Sequence, residues 1–346
     1  MAEYIISKDD LLKDRVDTID LWMRNASVDF TETYEWKYRN SQDRCSLHLM
    51  KTLNGDIVGC AGILYRNLKI RDDTIRAGQA IDLLVDKKHR LLGPAMMLQK
   101  SILSNLSQKD LSLIYGFPNR FSEPLLLRSG YVVLGSLERW TKPLFSEAVI
   151  KSFFKTGLIA KPASYVLDFI LRITSGEFTY RLPFGLIKET RMDFDKRFDK
   201  LWTAASSKFG IIAERSSDYL NWRFRDCPRK THKVFCLLNR HDDLYGYVVY
   251  YVKENSAVIV DMLALDPVAL KAILMEFVKQ MRIEHITSIS FFYCGNRTVH
   301  GTLSSLGFRR RFDEGSVLIY LNRDICQVDE VLDPAQWYVT LADRDI

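Results

Sequence analysis

At 346 residues the chain is longer than one hydrophobic core usually serves, so two domains are expected. Its 47% hydrophobic and 27% charged residues describe an ordinary globular protein and exclude disordered, collagen-like and coiled-coil classes. The net charge of +6 is mild and interspersed with acids; it predicts a solvated mixed surface that can attract an anionic ligand, and no nucleic-acid stripe.

No apolar run reaches the ~18–20 residues that span a bilayer, so no transmembrane segment is expected. The start, Met1-Ala2-Glu3-Tyr4-Ile5-Ile6, lacks the basic then apolar pattern of a secretory leader. Cys45, Cys60, Cys227, Cys236, Cys294 and Cys326 form no C-x-x-C pair and have no histidine at ligand spacing. That argues against a metal site and a disulfide framework, and it fits a reducing cytoplasm.

In chain order, Leu21-Trp22 precedes Tyr34-Glu35-Trp36-Lys37-Tyr38-Arg39-Asn40. A strand at 46–50 meets Asn54-Gly55-Asp56, a strong hairpin signal, and a second strand runs over 57–63. Residues 81–85 read as a strand, 95–106 as an amphipathic helix and 111–117 as an apolar strand. Asn119 then stands eleven residues before Gly130-Tyr131.

The same order returns. Leu201-Trp202 precedes Tyr219-Leu220-Asn221-Trp222-Arg223-Phe224-Arg225, followed by strands at 233–238 and 244–250 around a polar turn, His241-Asp242-Asp243. A strand at 260–264, a helix at 268–282 and a strand at 286–293 follow, and Asn296 again stands eleven residues before Gly307-Phe308. Six matches in order predict a duplication.

The fold expected is therefore α/β (mixed α+β), built as two tandem units at 1–145 and 191–326, each reading helix, three or four strands, helix, strand, helix, strand. Between them lies a connector at 146–190, with amphipathic helix candidates at 149–154 and 165–173 broken by Gly157, Pro162, Gly176 and Pro183. Its apolar face is expected to cover the sheet or the domain seam. The tail at 327–346 contains Trp337-Tyr338-Val339 and is too apolar for a free end, so it is expected to pack on the body.

Arg90-Leu91-Leu92-Gly93-Pro94-Ala95 joins the strand ending at Val85 to a helix expected to begin near Pro94. A helix opening offers unpaired N–H groups and partial positive charge, which suits phosphate oxygens. Gly93 allows close backbone approach, Pro94 suits the first helical position, and Arg90 adds a fixed charge. By itself the segment reads equally well as an ordinary strand-to-helix turn.

The ordered set resembles the GNAT superfamily of acyl-coenzyme A transferases. Arg90, Gly93 and Ala95 fill its R-x-x-G-x-A signature, and Asn119, Ser122 and Gly130-Tyr131 fill its second motif, after Gly116-Phe117-Pro118. The resemblance covers nearly the whole chain as two copies, with the specific motif in the first alone. It implies a mixed, splayed central sheet flanked by helices in each copy. It also implies acetyl-CoA or another acyl-CoA as co-substrate, its pantetheine arm pairing with backbone of Leu83, Leu84 and Val85. The pyrophosphate would lie on the amides of Leu91, Leu92, Gly93, Ala95 and Met96, Pro94 having none to give, and Asn119 would touch the pantetheine or adenylate. The second copy reads Leu265-Asp266-Pro267 at this point, so a helix cap and no cofactor are expected there.

Transfer to an amine needs positioning and a proton acceptor. Asp82, on the strand bordering the thioester, is the candidate base; its alternative is a structural carboxylate, since Asp261 repeats it. The family's tyrosine acid position holds Leu126, with Tyr115 and Tyr131 nearby but core-like, and His89 reads as packing or solvent-facing. The acceptor implied is an amine-bearing small molecule. Tandem proteins of this kind resemble acyltransferases of amino-sugar or surface-polysaccharide pathways. A Fem-type aminoacyl transferase using aminoacyl-tRNA, or a non-catalytic CoA-binding scaffold, are the alternative readings.

Overall fold

The computed structural model describes residues 4–9, 13–27, 29–41, 43–90, 92–104, 106, 111–145, 176–178, 180–182, 185–322 and 328–345. The connector helices expected at 149–154 and 165–173 lie outside the described residues.

The first half opens with β1 (Tyr4–Lys8) and α1 (Arg15–Ala26). A short helix, α2 (Thr31–Tyr34), runs straight into a π-turn at Glu35–Arg39. Three antiparallel strands follow, β2 (Cys45–Thr52), β3 (Ile57–Ile70) and β4 (Asp73–Val85). The β2–β3 hairpin turns at Asn54-Gly55, where Gly55 has φ of 91°, a conformation glycine adopts without strain. Next come α3 (Leu92–Ser104), β5 (Leu113–Gly116), α4 (Glu123–Arg128) and β6 (Val132–Pro143).

The second half repeats this. After β7 (Ile187–Arg191), α5 (Lys196–Ser206) and β8 (Ile211–Ala213), the short α6 (Ser217–Leu220) enters a second π-turn at Asn221–Arg225. Antiparallel β9 (Lys233–Leu238), β10 (Leu244–Lys253) and β11 (Ser256–Ala264) lead to α7 (Pro267–Ile283). Then follow β12 (Ser288–Gly295), α8 (Arg297–Ser305) and β13 (Arg309–Leu321). The tail adds α9 (Val328–Leu332) and β14 (Trp337–Val339).

The repeated tryptophans meet. Trp36 and Trp222 stack with ring centroids 4.8 Å apart, and Trp36 Nε1 donates to the Trp222 carbonyl at 2.9 Å. Each sits in a π-turn, whose widened backbone ladder swings its side chains toward the seam between the halves. The core built around them runs unbroken from Leu21 and Leu47 in one half to Tyr247 and Phe277 in the other.

The two halves also exchange their last strands. The strand order is β1-β2-β3-β4-β5-β13-β6-β12-β11-β10-β9-β7. Thus β13 completes the first half by pairing with β5, while β6 pairs with β12 of the second. The result is one sheet through both units. Among the described residues, no helix is long and apolar enough to cross a membrane.

The tail packs against the second half of the sheet. Trp337, Tyr338 and Val339 are buried, and β14 pairs with β12 at Cys294 and Gly295. By then β11 has left β12, their pairing having ended at Ile259 and Phe291. The Tyr338 hydroxyl reaches across to the Met262 carbonyl of β11. The chain's own tail therefore bridges the gap of the second copy.

Candidate active site

In the first half the equivalent gap is open. Parallel β4 and β5 pair only over residues 77–80 and 113–116. Beyond Ala80, β4 bulges: Ala61 of β3 stands opposite two residues, and Asp82 takes a left-handed φ of 52°. That bend turns Ile81 to Val85 away from the neighbouring strand. On the other side β5 stops at Gly116, and Pro118 has no N–H to offer a neighbour. Between the two strands lies a cavity of about 300 Å³, lined by Ile81, Asp82 and Leu83 on one side and Phe117, Pro118 and Asn119 on the other. Gln99 and Ile102 of α3 close one end, and Trp22, Phe30, Arg229, Arg344 and Asp345 line the other.

The residues expected to hold phosphate follow the end of β4, and Arg90, Gly93, Pro94, Ala95 and Met96 are not among those lining the cavity. The helix α3 begins at Leu92, two residues earlier than expected, so Pro94 occupies its third position rather than its first. It is still in the first turn, where N–H groups have no helical acceptor, so the ring costs no hydrogen bond. Leu91 lies outside the described residues, as does the side chain of Leu92. Apart from its chain neighbours and its own helix backbone, a Cβ built on Gly93 would meet nothing within 4 Å among the described residues, so there is open space beside that position. Arg90 donates to the Val85 carbonyl at 3.1 and 3.3 Å, tying the loop to the end of β4. Asp86, at the start of that loop, accepts from Lys88 N and from Arg24. Burial works to raise its carboxyl, but these donors outweigh that and hold it down to about 2. Ala95 and Met96 are half-buried on α3.

Asn119 lines the cavity and also shapes its own turn: Oδ1 accepts from Phe121 N at 2.9 Å and Ser122 N at 3.1 Å. Leu126 lines the cavity at the family's tyrosine position. Tyr131 is tied to Gln99 at 2.8 Å, Tyr115 is buried against Phe117 and Trp337, and His89 bonds Tyr4 at 2.9 Å. None of these three is among the residues lining the cavity.

Asp82 is the centre of a buried charge cluster. Lys37 Nζ lies 3.1 and 3.2 Å from its oxygens and 2.5 Å from Asp345, and the Tyr38 hydroxyl donates to Asp82 at 2.5 Å. Burial raises the Asp82 pKa most and the Asp345 charge adds to it; Lys37 and Tyr38 oppose, leaving it at about 6. Burial alone would lower Lys37, but Asp345 and Asp82 together keep it above its ordinary value and charged.

Gly62, across from Tyr38, explains how the hydroxyl fits. A Cβ there would lie 2.5 Å from Tyr38 Oη and 2.9 Å from Ile81. Gly62→Ala is expected to push Tyr38 off Asp82 and cost about 1–3 kcal/mol in denaturant unfolding, typical of overpacking.

The repeat Asp261 behaves differently. It is wholly buried and bound by Arg215 at 3.0 Å, Tyr247 at 2.8 Å and Thr340 at 2.8 Å. It lines neither that cavity nor the one of about 190 Å³ that Leu265, Asp266, Asn296 and Tyr338 line in the second half. Asp266 caps α7 by accepting from Ala269 N at 2.8 Å, with Pro267 at the first helical position, as expected. The two aspartates thus share a place in the repeat, but only Asp82 faces open space. Among the described residues, no three His, Cys, Asp or Glu groups are placed to hold a metal ion.

Lys37, Tyr38, Arg229, Arg344 and Asp345 were not singled out from the sequence for this site. Lys37 and Tyr38 carried a signal, since they belong to the repeated aromatic–basic motif. The others are brought here by the second half and the tail.

No protein-family model matches this chain, and no curated protein matches its sequence. Solved structures do match. A protein of Enterococcus faecalis described as a probable N-acyltransferase aligns with TM-score 0.69 at 12% identity, over 93% of this chain and 73% of that one. A GCN5-related N-acetyltransferase of Anabaena variabilis gives 0.68 at 12%, over 92% and 73%. The N-myristoyltransferase of Saccharomyces cerevisiae, solved with myristoyl-CoA bound, gives 0.56 at 12%, over 92% and 83%. Over more than nine-tenths of its length the chain therefore has the tandem GNAT fold.

Proposed function

We propose that this protein is an acyl-CoA-dependent N-acyltransferase, working by direct transfer from the thioester to an amine. The observation that carries the reading is the open gap between β4 and β5, with a buried carboxylate cluster at its wall and the start of α3 a few residues beyond the end of β4. In this reading the pantetheine arm pairs with backbone of Leu83, Leu84 and Val85 on the edge that faces β5, where their pairing with that strand has ended. The diphosphate lies on the amides from Leu91 to Met96, Pro94 excepted, with Arg90 supplying charge at the rim. Asn119 contacts the pantetheine from the opposite strand end.

The amine nitrogen attacks the thioester carbon, a C–N bond forms, the C–S bond breaks, and the thiolate leaves. A thiol with a pKa near ~8.5 is a good leaving group, so the leucine at position 126 is no obstacle. The proton lost by the amine passes to Asp82, which Lys37 and Tyr38 hold in place. The second half, whose gap is bridged by the tail, buttresses the first and forms one wall of the acceptor cleft. Amino sugars and polysaccharide precursors are the acceptors considered first.

Calorimetry with acetyl-CoA and longer acyl-CoAs tests the reading, and wild-type protein that binds none of them at high micromolar concentration ends it. The base has its own signature. Asp82 must be ionised to accept a proton, so kcat is expected to rise with pH through about 6. Asp82→Asn should remove that inflection and lower kcat by about 10²–10⁴-fold. A profile unchanged in this variant assigns the base elsewhere.

A further inference from the structure

The tail carries a carboxylate to each of the repeated aspartates. In the second half Arg215 lies between Asp261 of β11, at 3.0 Å, and Asp343 of the tail, at 2.7 Å. In the first half Lys37 lies between Asp82 of β4, at 3.1 Å, and Asp345 of the tail, at 2.5 Å. The plan is the same: a strand aspartate, a cation and a tail aspartate. The setting differs, because Asp261 is sealed in the core while Asp82 and Asp345 line the cavity.

Two further contacts fix Asp345 in this place. Its Oδ2 accepts from the Asp82 backbone N–H at 3.4 Å, at the residue where β4 takes its left-handed bend. The segment that carries it is seated by Arg223, which donates to the carbonyls of Leu341, Ala342 and Arg344. Arg223 is the third residue of its π-turn, as Lys37 is of the other. One copy of the repeated cation therefore holds the tail, and the other meets the carboxylate that the tail brings.

Asp82 is faced by Lys37 and Tyr38 from the π-turn and by Asp345 from the tail. The thiols of Cys45 on β2 and Cys60 on β3 also act on it, and burial keeps both protonated. Arg229 and Arg344 line the same cavity. An ammonium given to Asp82 alone would make that carboxylate a weak base, whereas a second carboxylate close by opposes this. Lys37 lies nearer to Asp345 than to Asp82.

We propose that Asp345 is a positioning residue for the base: it takes part of the Lys37 charge and braces the bent backbone of Asp82, leaving that carboxylate able to accept the amine's proton near neutral pH. The inference rests on the acyltransferase reading and adds the means by which the tail governs its proton acceptor.

Carbon-13 NMR of protein labelled at the aspartate carboxyl carbons tests it without need of an acceptor. The Asp82 signal is the one that Asp82→Asn removes, and in wild type it is expected to titrate at about 6. Asp345→Asn keeps the shape of the side chain and removes its charge, so the midpoint should fall by about one pH unit or more. Asp345→Glu should return most of that shift, with acetyl-CoA Kd unchanged in both variants. A midpoint that stays in place or rises in Asp345→Asn overturns the proposal, even in a less stable protein, and leaves the acyltransferase reading intact. So does a fall that Asp345→Glu fails to reverse, which marks a lost packing contact and not a lost charge. Wild-type protein that binds no acyl-CoA defeats the earlier reading, and this one with it.

Discussion

Acetyl-CoA affinity is expected to fall by about a hundredfold in Gly93→Asp protein whose melting temperature is that of wild type. The two halves of that expectation have separate causes. Among the described residues, chain neighbours and the helix's own backbone apart, nothing lies within 4 Å of a Cβ at position 93, so a side chain there displaces none of those atoms. Position 93 is also in the first turn of α3, where a carboxylate interacts favourably with the helix dipole. The apo protein therefore has no reason to lose stability. A diphosphate on the same amides meets a new negative charge, and at about 4 Å the repulsion amounts to several kcal/mol before solvent screening reduces it. Gly93→Ala sharpens the comparison: it should raise stability by up to about 1 kcal/mol through helix propensity while still weakening the cofactor. Calorimetry beside thermal unfolding reads both quantities. Full transfer activity in the Gly93→Asp protein would instead favour a donor that does not use this loop, such as an aminoacyl-tRNA.

The second large effect lies in the tail. Asp343→Ala is expected to cost about 3–5 kcal/mol of unfolding free energy, because it strands buried charge. Asp343 bonds Arg215 at 2.7 and 2.9 Å, reaches Arg66 at 3.4 Å, and accepts from Thr340 N at 3.0 Å. Burial works to raise its carboxyl, but Arg215 and Arg66 outweigh this and hold it below the ordinary value. It is therefore ionised in the folded chain at neutral pH. Without it, Arg215, wholly buried, keeps a single counter-charge in Asp261, and Arg66 keeps none among the carboxylates described here. Guanidinium groups stay protonated, so neither can escape by neutralising. The loss should appear as a lower urea midpoint with an unchanged slope. A shift below 1 kcal/mol would mean that the tail is not seated as described.

Much of this arrangement was readable from residue order. The Asn54-Gly55 hairpin, the two tryptophan motifs and the paired Asp82 and Asp261 follow from local chemistry and repetition, and the halves do repeat. The first half of β4, from Asp73 to Ala80, was missed because its turn is marked by Arg71 at a left-handed φ of 52°, where glycine or asparagine would have given the signal. Pro94 suits a first helical residue and so makes α3 look two residues shorter in sequence, whereas any position in the first turn tolerates it. The strand exchange left no local trace, since β6 and β13 offer similar edges to either half. Asp345 and Arg344 were illegible for a related reason. Their place at the cleft is set by Trp337 and Tyr338, anchored far away in sequence.

Exchange of the terminal strands ties the fate of one copy to the other. A gene cut between the halves would leave β5 with a raw edge at Leu113 to Gly116, since among the described residues β13 is the strand that covers the edge away from β4. The copy whose own gap is closed by the tail cannot be shed during descent, however little it binds. It supplies the strand beside β5, so drift in the second half must preserve β13 or uncover that edge of the first.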